Sequence, residues 1–191
     1  NIRSICLAAF FNEMGMDIVL PFYAPFLIQV LRVTQMQVLG LVSTLASVFS
    51  LMVMPIAGSV ADRRGKRGFI VGGYSCQLAS RLVQALAASW AHLVPAKVFQ
   101  ELGKRVYTPS TSALLAESAP TKHMGMIFGW LESAQKAGAM VGPLVGFSLF
   151  SWLSMSFSLD ASYRLVFLIA AAPTLISIVL VMRKSHDVQV H

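Results

Sequence analysis

The stretch Trp90–Ser118, WAHLVPAKVFQELGKRVYTPSTSALLAES, decides how often this chain crosses a membrane. It holds Lys97, Glu101, Lys104 and Arg105, more charge than an ordinary hydropathy window tolerates. Its polar residues nevertheless recur at helical spacing. Lys97, Glu101, Lys104, Arg105, Thr108, Thr111 and Ser112 share one face, with Val98, Phe99, Leu102, Val106 and Ala113 on the other. Such a helix either crosses the bilayer with its charged stripe turned toward protein, or lies flat at the interface. The distribution of basic residues chooses between them. The densest cluster, Arg63, Arg64, Lys66 and Arg67, falls between the second and third apolar segments and belongs on the cytoplasmic side. Counting Trp90–Ser118 as a span puts Lys122, Arg183 and Lys184 on that side as well, leaving Arg32 and Arg164 outside. Omitting it would turn the basic tail outward, so the stretch reads as a span.

Around it lie five segments with the length of membrane helices, since about 20 apolar residues cross the hydrocarbon. The predicted spans are 5–31, 38–61, 69–88, 90–118, 124–153 and 165–182, with short loops and both termini cytoplasmic. Composition agrees. Of the 191 residues 56% are hydrophobic and 12% charged, where a soluble domain carries about a quarter charged residues. The formal net charge of +7 therefore reads as membrane topology and not as a nucleic-acid footprint. Cys6 and Cys76 sit in apolar stretches, and the four histidines have no metal-ligand spacing. No metal, cofactor or enzymatic nucleophile is expected; the expected surroundings are a lipid bilayer and a small-molecule or ion substrate.

Three motifs carry a family resemblance. Between the second and third spans the chain reads Gly58-Ser-Val-Ala-Asp62-Arg63-Arg64-Gly65-Lys66-Arg67. The pattern resembles the signature loop of the major facilitator superfamily. Gly138-Ala-Met-Val-Gly142-Pro143-Leu-Val-Gly146 in the fifth span is similar to the G-x-x-x-G-P-x-x-G element of antiporters of that superfamily. Glycines four apart let helices approach closely, and Pro143 removes a backbone hydrogen bond. In the fourth span, Gly103-Lys104-Arg105-Val-Tyr107-Thr-Pro109 followed by Ala113-Leu-Leu-Ala-Glu117-Ser118 resembles a run found in one bacterial branch. It departs from that run with Arg105 at the second Gly, Tyr107 at the first Arg and Thr111-Ser112 at an Arg-Asp pair. Asp17-Ile-Val-Leu-Pro21 and Tyr163-Arg164-Leu-Val-Phe167 are looser matches.

The resemblance implies an all-α polytopic membrane bundle of six transmembrane helices, built as two inverted three-helix repeats and forming the amino-terminal half of a twelve-helix transporter. It implies transport by alternating access in a bacterial inner membrane, with Gly58, Asp62, Arg63, Gly65, Lys66 and Arg67 as a gating loop. The carboxy-terminal half would come from the same gene or from a second chain. A half-size, non-transporting receptor or assembly partner is the alternative.

Ionisable residues deep in a bilayer cost about 2.5–3.5 kcal/mol each on insertion scales, so each demands a partner or water. Here they are Glu13, Asp17, Arg81, Lys97, Glu101, Lys104, Arg105, Glu132 and Lys136. Helical spacing allows Lys97–Glu101, Glu101–Lys104 or Glu101–Arg105, and Glu132–Lys136 pairs. Glu13 and Asp17 share a sign one turn apart, which suits uptake and release of a proton. Lys104, Arg105 and Lys136 would make a cavity mouth positive and attract an anion, whereas the glycine-proline element resembles that of exporters. Proton-coupled efflux and anion uptake both stand at this point.

Overall fold

The computed structural model describes residues 2–31, 37, 40, 41, 43–52, 66–118 and 123–184. Every regular element among them is helical: α1 (Ile2–Gln29), α2 (Ser43–Met52), α3 (Lys66–Ala85), α4 (Trp90–Ser118), α5 (Met124–Ser154), α6 (Leu159–Ile169) and α7 (Ala171–Lys184). Helices α6 and α7 meet at Ala170 and form one apolar segment, Leu159–Arg183. By length and composition α1, α5 and this joined segment can each cross a bilayer.

The last segment starts at Leu159, ahead of the Leu165 suggested by hydropathy. Ser158 explains the difference. Its hydroxyl caps the helix by accepting from the Ala161 amide at 3.4 Å, and Asp160 places a negative charge in the first turn. Helix α5 runs continuously through Pro143.

Packing follows the small residues. Helix α5 lies along α1 with Gly138, Gly142 and Gly146 against the α1 backbone: a Cβ added at these positions would stand 2.3 Å from the Phe10 carbonyl oxygen, 2.7 Å from that of Met14 and 2.8 Å from that of Ile18. Helices α3 and α4 cross at Gly73 and Gly103, where a Cβ on Gly103 would approach the Gly73 oxygen to 2.6 Å. In lipid no hydrophobic force holds helices together, so close approach through glycine supplies the dispersion contacts.

The packed side of α4 only partly follows the charged stripe expected to face protein: Thr111 is buried and Lys97, Glu101 and Arg105 are half-buried, but Lys104 and Thr108 are exposed. Its buried residues are Leu93, Ala96, Gly103, Tyr107, Ser110, Thr111, Leu114 and Leu115. Phe99 is exposed, and Val98, Leu102 and Val106 are half-buried. Large apolar side chains can face hydrocarbon at no cost, so binary patterning does not mark the packed face of a membrane helix.

Two clusters make the core. One gathers Ile18, Phe22 and Phe26 of α1 with Leu153, Tyr163 and Phe167; the other gathers Ile5 and Ala8 with Ile70, Tyr74, Tyr107, Leu131 and Val181. Phe26 stacks edge-on against Phe167 at 5.0 Å, a geometry favoured by the ring quadrupoles.

Two arginines close the bundle reciprocally. Arg67, at the start of α3, donates to the Met182 carbonyl near the end of α7. Arg164, in α6, donates through Nη1 to the Ala85 carbonyl at the end of α3 at 3.1 Å. Each cation thus sits at the negative end of the other segment's helix. The exchange matches two inverted repeats, as does the packing of α3 on α4 and of α6–α7 on α1.

Candidate functional site: a polar face on α1, α4 and α5

Glu13 and Asp17 stand on α1, both half-buried. Glu13 Oε1 accepts a 2.6 Å hydrogen bond from the Tyr107 hydroxyl of α4, and the Tyr107 ring lies 4.9 Å from that of Tyr74 on α3. Asp17 has Glu13, Arg81, Lys104 and Lys136 within electrostatic reach. Charges from four helices, α1, α3, α4 and α5, therefore act on one carboxylate.

Beside it, Glu101, Lys104, Arg105, Thr108 and Pro109 line an open pocket of about 420 Å³ on α4. Arg105 Nε donates to the Ser50 hydroxyl of α2 at 2.8 Å, which ties one wall of the pocket to the second span. Lys104 belongs to both groups, since it lines this pocket and acts on Asp17.

The pairs expected along α4 do not form. Among the described residues the ion pairs within 4.0 Å are Lys66–Glu117, Glu132–Lys136 and Asp160–Arg164. Lys97 Nζ instead donates to Gln100 Oε1 at 3.2 Å and lies 5.5 Å from the centre of the Tyr23 ring. A neutral amide and an aromatic face satisfy this cation and leave Glu101 turned to the pocket. Glu132 and Lys136 do pair, at 3.6 Å, but their side chains are 66% and 74% exposed. They occupy the surface of α5 opposite the packed glycines, so their charges are not buried within this bundle.

Of the loop residues, Gly58, Asp62, Arg63 and Gly65 lie outside the described residues, and Gly138, Gly142, Pro143 and Gly146 belong to the packing of α5. Lys66, at the start of α3, pairs with Glu117 near the end of α4.

Sequence reasoning named Arg81 but missed the buried polar groups around it. Arg81 is 4% exposed, with Nη2 donating to the Asn12 carbonyl at 3.4 Å. Around it on α3 are Gln77, Ser80 and Gln84, all buried. The spacing 77, 80, 81, 84 is helical and was readable in SCQLASRLVQ as a polar stripe within an apolar span.

The chain matches the Major Facilitator Superfamily over residues 5–189. It belongs to that family, a family of membrane transporters and not of enzymes. It is 29% identical over 151 residues to multidrug resistance protein MdtG of Serratia proteamaculans, covering 76% of this chain and 36% of that protein. A second relative, the uncharacterized MFS-type transporter MJ1317 of Methanocaldococcus jannaschii, is 29% identical over 159 residues, or 83% of this chain and 39% of the relative. In structure the chain is similar to a bacterial homologue of the human lysosomal transporter Spinster in its inward-facing, unoccupied conformation. The TM-score is 0.75 at 18% identity, covering all of this chain and 43% of that one. A crystal structure of the peptide transporter POT with sulfate gives 0.74 at 16% identity, with 95% and 37% covered. These chains share the membrane helical bundle, and the present chain spans well under half of the relatives it matches.

Proposed function

We propose that this chain is the amino-terminal six-helix half of a secondary transporter that exports small organic solutes against proton entry by alternating access. Its place would be a bacterial cytoplasmic membrane, with both termini inside. The carrying observation is the convergence of Glu13 and Asp17 with Lys104 and Lys136 beside the α4 pocket. Asp17 stands a turn from Glu13 and within electrostatic reach of Lys104, so a proton gained or lost there alters the balance of charge against that lysine. Loss of that proton draws Asp17 on α1 toward Lys104 on α4, and its gain releases it. Resemblance to a multidrug resistance protein favours export of organic solutes.

The residues from Gly58 to Arg67 would latch one conformation, with the Lys66–Glu117 pair as its described part. A second half, docking on the exposed surface of α5 that carries Glu132, Lys136 and Met140, would complete the substrate path.

The test uses the intact gene product in proteoliposomes. Asp17→Asn is expected to abolish uphill transport while sparing substrate exchange; unchanged proton-driven accumulation would overturn the coupling role. Intact mass and light scattering on the same preparation check the half-transporter reading. A polypeptide about twice the length, in line with two six-helix halves, supports it; a monomer of this size that moves nothing supports the assembly-partner reading.

Anion uptake has one observation in its favour, the placing of Lys104 and Arg105 in the pocket wall. In the same vesicles an organic anion that competes with export, and loses competition in Lys104→Gln, would select it.

A further inference from the structure

Arg81 is a permanently charged group buried in the bundle, and no carboxylate lies within ion-pair distance of it among the described residues. Glu13 and Asp17 act on it only at longer range. Among the described residues its Nη1 has no acceptor, Gln77 has none for Nε2 and no donor for Oε1, and Gln84 Oε1 is likewise without a donor. All three residues are at most 4% exposed. Orphaned polar atoms are rare in protein interiors, because each forfeits its hydration without replacement.

These atoms belong to residues that line one small cavity, completed on its polar side by Ser80 and Gln100. Its room for the centre of a water-sized guest is about 10 Å³, which is about what one water molecule requires. The α1 helix leaves the guanidinium this place. Gly15 faces it, and a Cβ there would stand 3.3 Å from Arg81 Cζ and 2.9 Å from the Ala170 carbonyl oxygen.

We propose that Gln77, Arg81 and Gln84 form a binding site for a single internal water molecule. The chemistry of the lining selects water over an anion. The site offers orphaned donors, on Arg81 and Gln77, together with orphaned acceptors, on Gln77 and Gln84. Water satisfies both kinds, whereas a halide would leave both amide oxygens facing negative charge. The nearby Glu13 and Asp17 carboxylates oppose an anion further. The bound water completes the shell of Arg81 and lets the guanidinium stay charged without locking onto either carboxylate, which keeps Glu13 and Asp17 free of a fixed ion pair.

The experiment is a crystal structure of the full-length protein grown in a lipidic mesophase, at a resolution that shows ordered water, for the wild type and for Gln77→Leu. The expected result is a peak within hydrogen-bond distance of Arg81 Nη1 and of a Gln77 or Gln84 amide, lost in Gln77→Leu. The same structure determined in bromide gives the contrary case: an anomalous peak at that position would assign an anion and overturn the proposal. So would Arg81 in direct contact with Glu13 or Asp17 and no peak in the cavity. The wild-type result stands even where Gln77→Leu fails to fold, and no outcome depends on proton coupling.

Discussion

The Tyr107 hydroxyl on α4 donates a 2.6 Å hydrogen bond to Glu13 Oε1 on α1, joining residues 94 positions apart. It is a direct polar tie between the first helices of the two repeats. The bacterial branch resembled by α4 has an arginine where this chain has Tyr107. A phenol there binds a carboxylate without adding charge.

Tyr107→Phe removes this bond and little volume. Hydrogen bonds to charged groups contribute about 1.5–3 kcal/mol, so the variant is expected to lose roughly tenfold or more in transport rate if the tie is made in the rate-limiting conformation. Initial rates in proteoliposomes measure it, with circular dichroism to verify the fold. Wild-type rates would reduce the tie to a passive contact.

Gly138 tests the packing of α5 on α1. An added Cβ would stand 2.3 Å from the Phe10 backbone oxygen, and backbone cannot turn away as a side chain does. Gly138→Ala is expected to destabilise by about 1–3 kcal/mol, the usual cost of overpacking. Gly125 on the same helix has nothing within 4 Å of its added Cβ, so Gly125→Ala serves as the matched control. Thermal unfolding in detergent should separate the two; equal midpoints would mean that the α1–α5 contact is looser than it stands here.

How much of this was legible in the sequence depends on the range of the interaction. The bounds of α4 and the glycine stripe of α5 are local patterns, and both were readable. Which side of α4 packs was readable only in part: Thr111 of the charged stripe is buried, but Lys104 and Thr108 are exposed, and the marker of the α3 contact is Gly103, a single small residue. Lys97 was expected on Glu101 from spacing alone, but Gln100 and Tyr23 satisfy it. The Glu13–Tyr107 bond joins distant segments, and only the fold brings them together. Gln77, Arg81 and Gln84 carried a helical signal that apolar neighbours such as Leu78 and Leu82 obscured.

Lys66 and Glu117 have side chains 21% and 30% exposed, so their attraction is only partly screened. A double-mutant cycle with Lys66→Gln and Glu117→Gln is expected to give a coupling energy of up to about 1 kcal/mol at low salt, as partly exposed pairs do. Raising the salt to about 1 M shortens the screening length to about 3 Å and should remove most of it. Coupling indifferent to salt would place the pair in a drier setting.

The reciprocal arginines give the last expectation. Arg67 caps α7 at the Met182 carbonyl and Arg164 caps α3 at the Ala85 carbonyl. A cation at a helix carboxy terminus contributes about 0.3–1 kcal/mol, and up to about 2 kcal/mol when partly buried. Arg67→Met and Arg164→Met keep the apolar stems and remove the donors, so each should lower stability by an amount in that range. The two lie at opposite ends of α3, whose 20 residues span about 30 Å. Losses at independent sites add to within about 0.5 kcal/mol, and the double variant should show their sum in denaturant unfolding. A double variant much less stable than that sum would mean that the two clamps share one cooperative element, α3 itself, and that closing one end of the bundle aids the other.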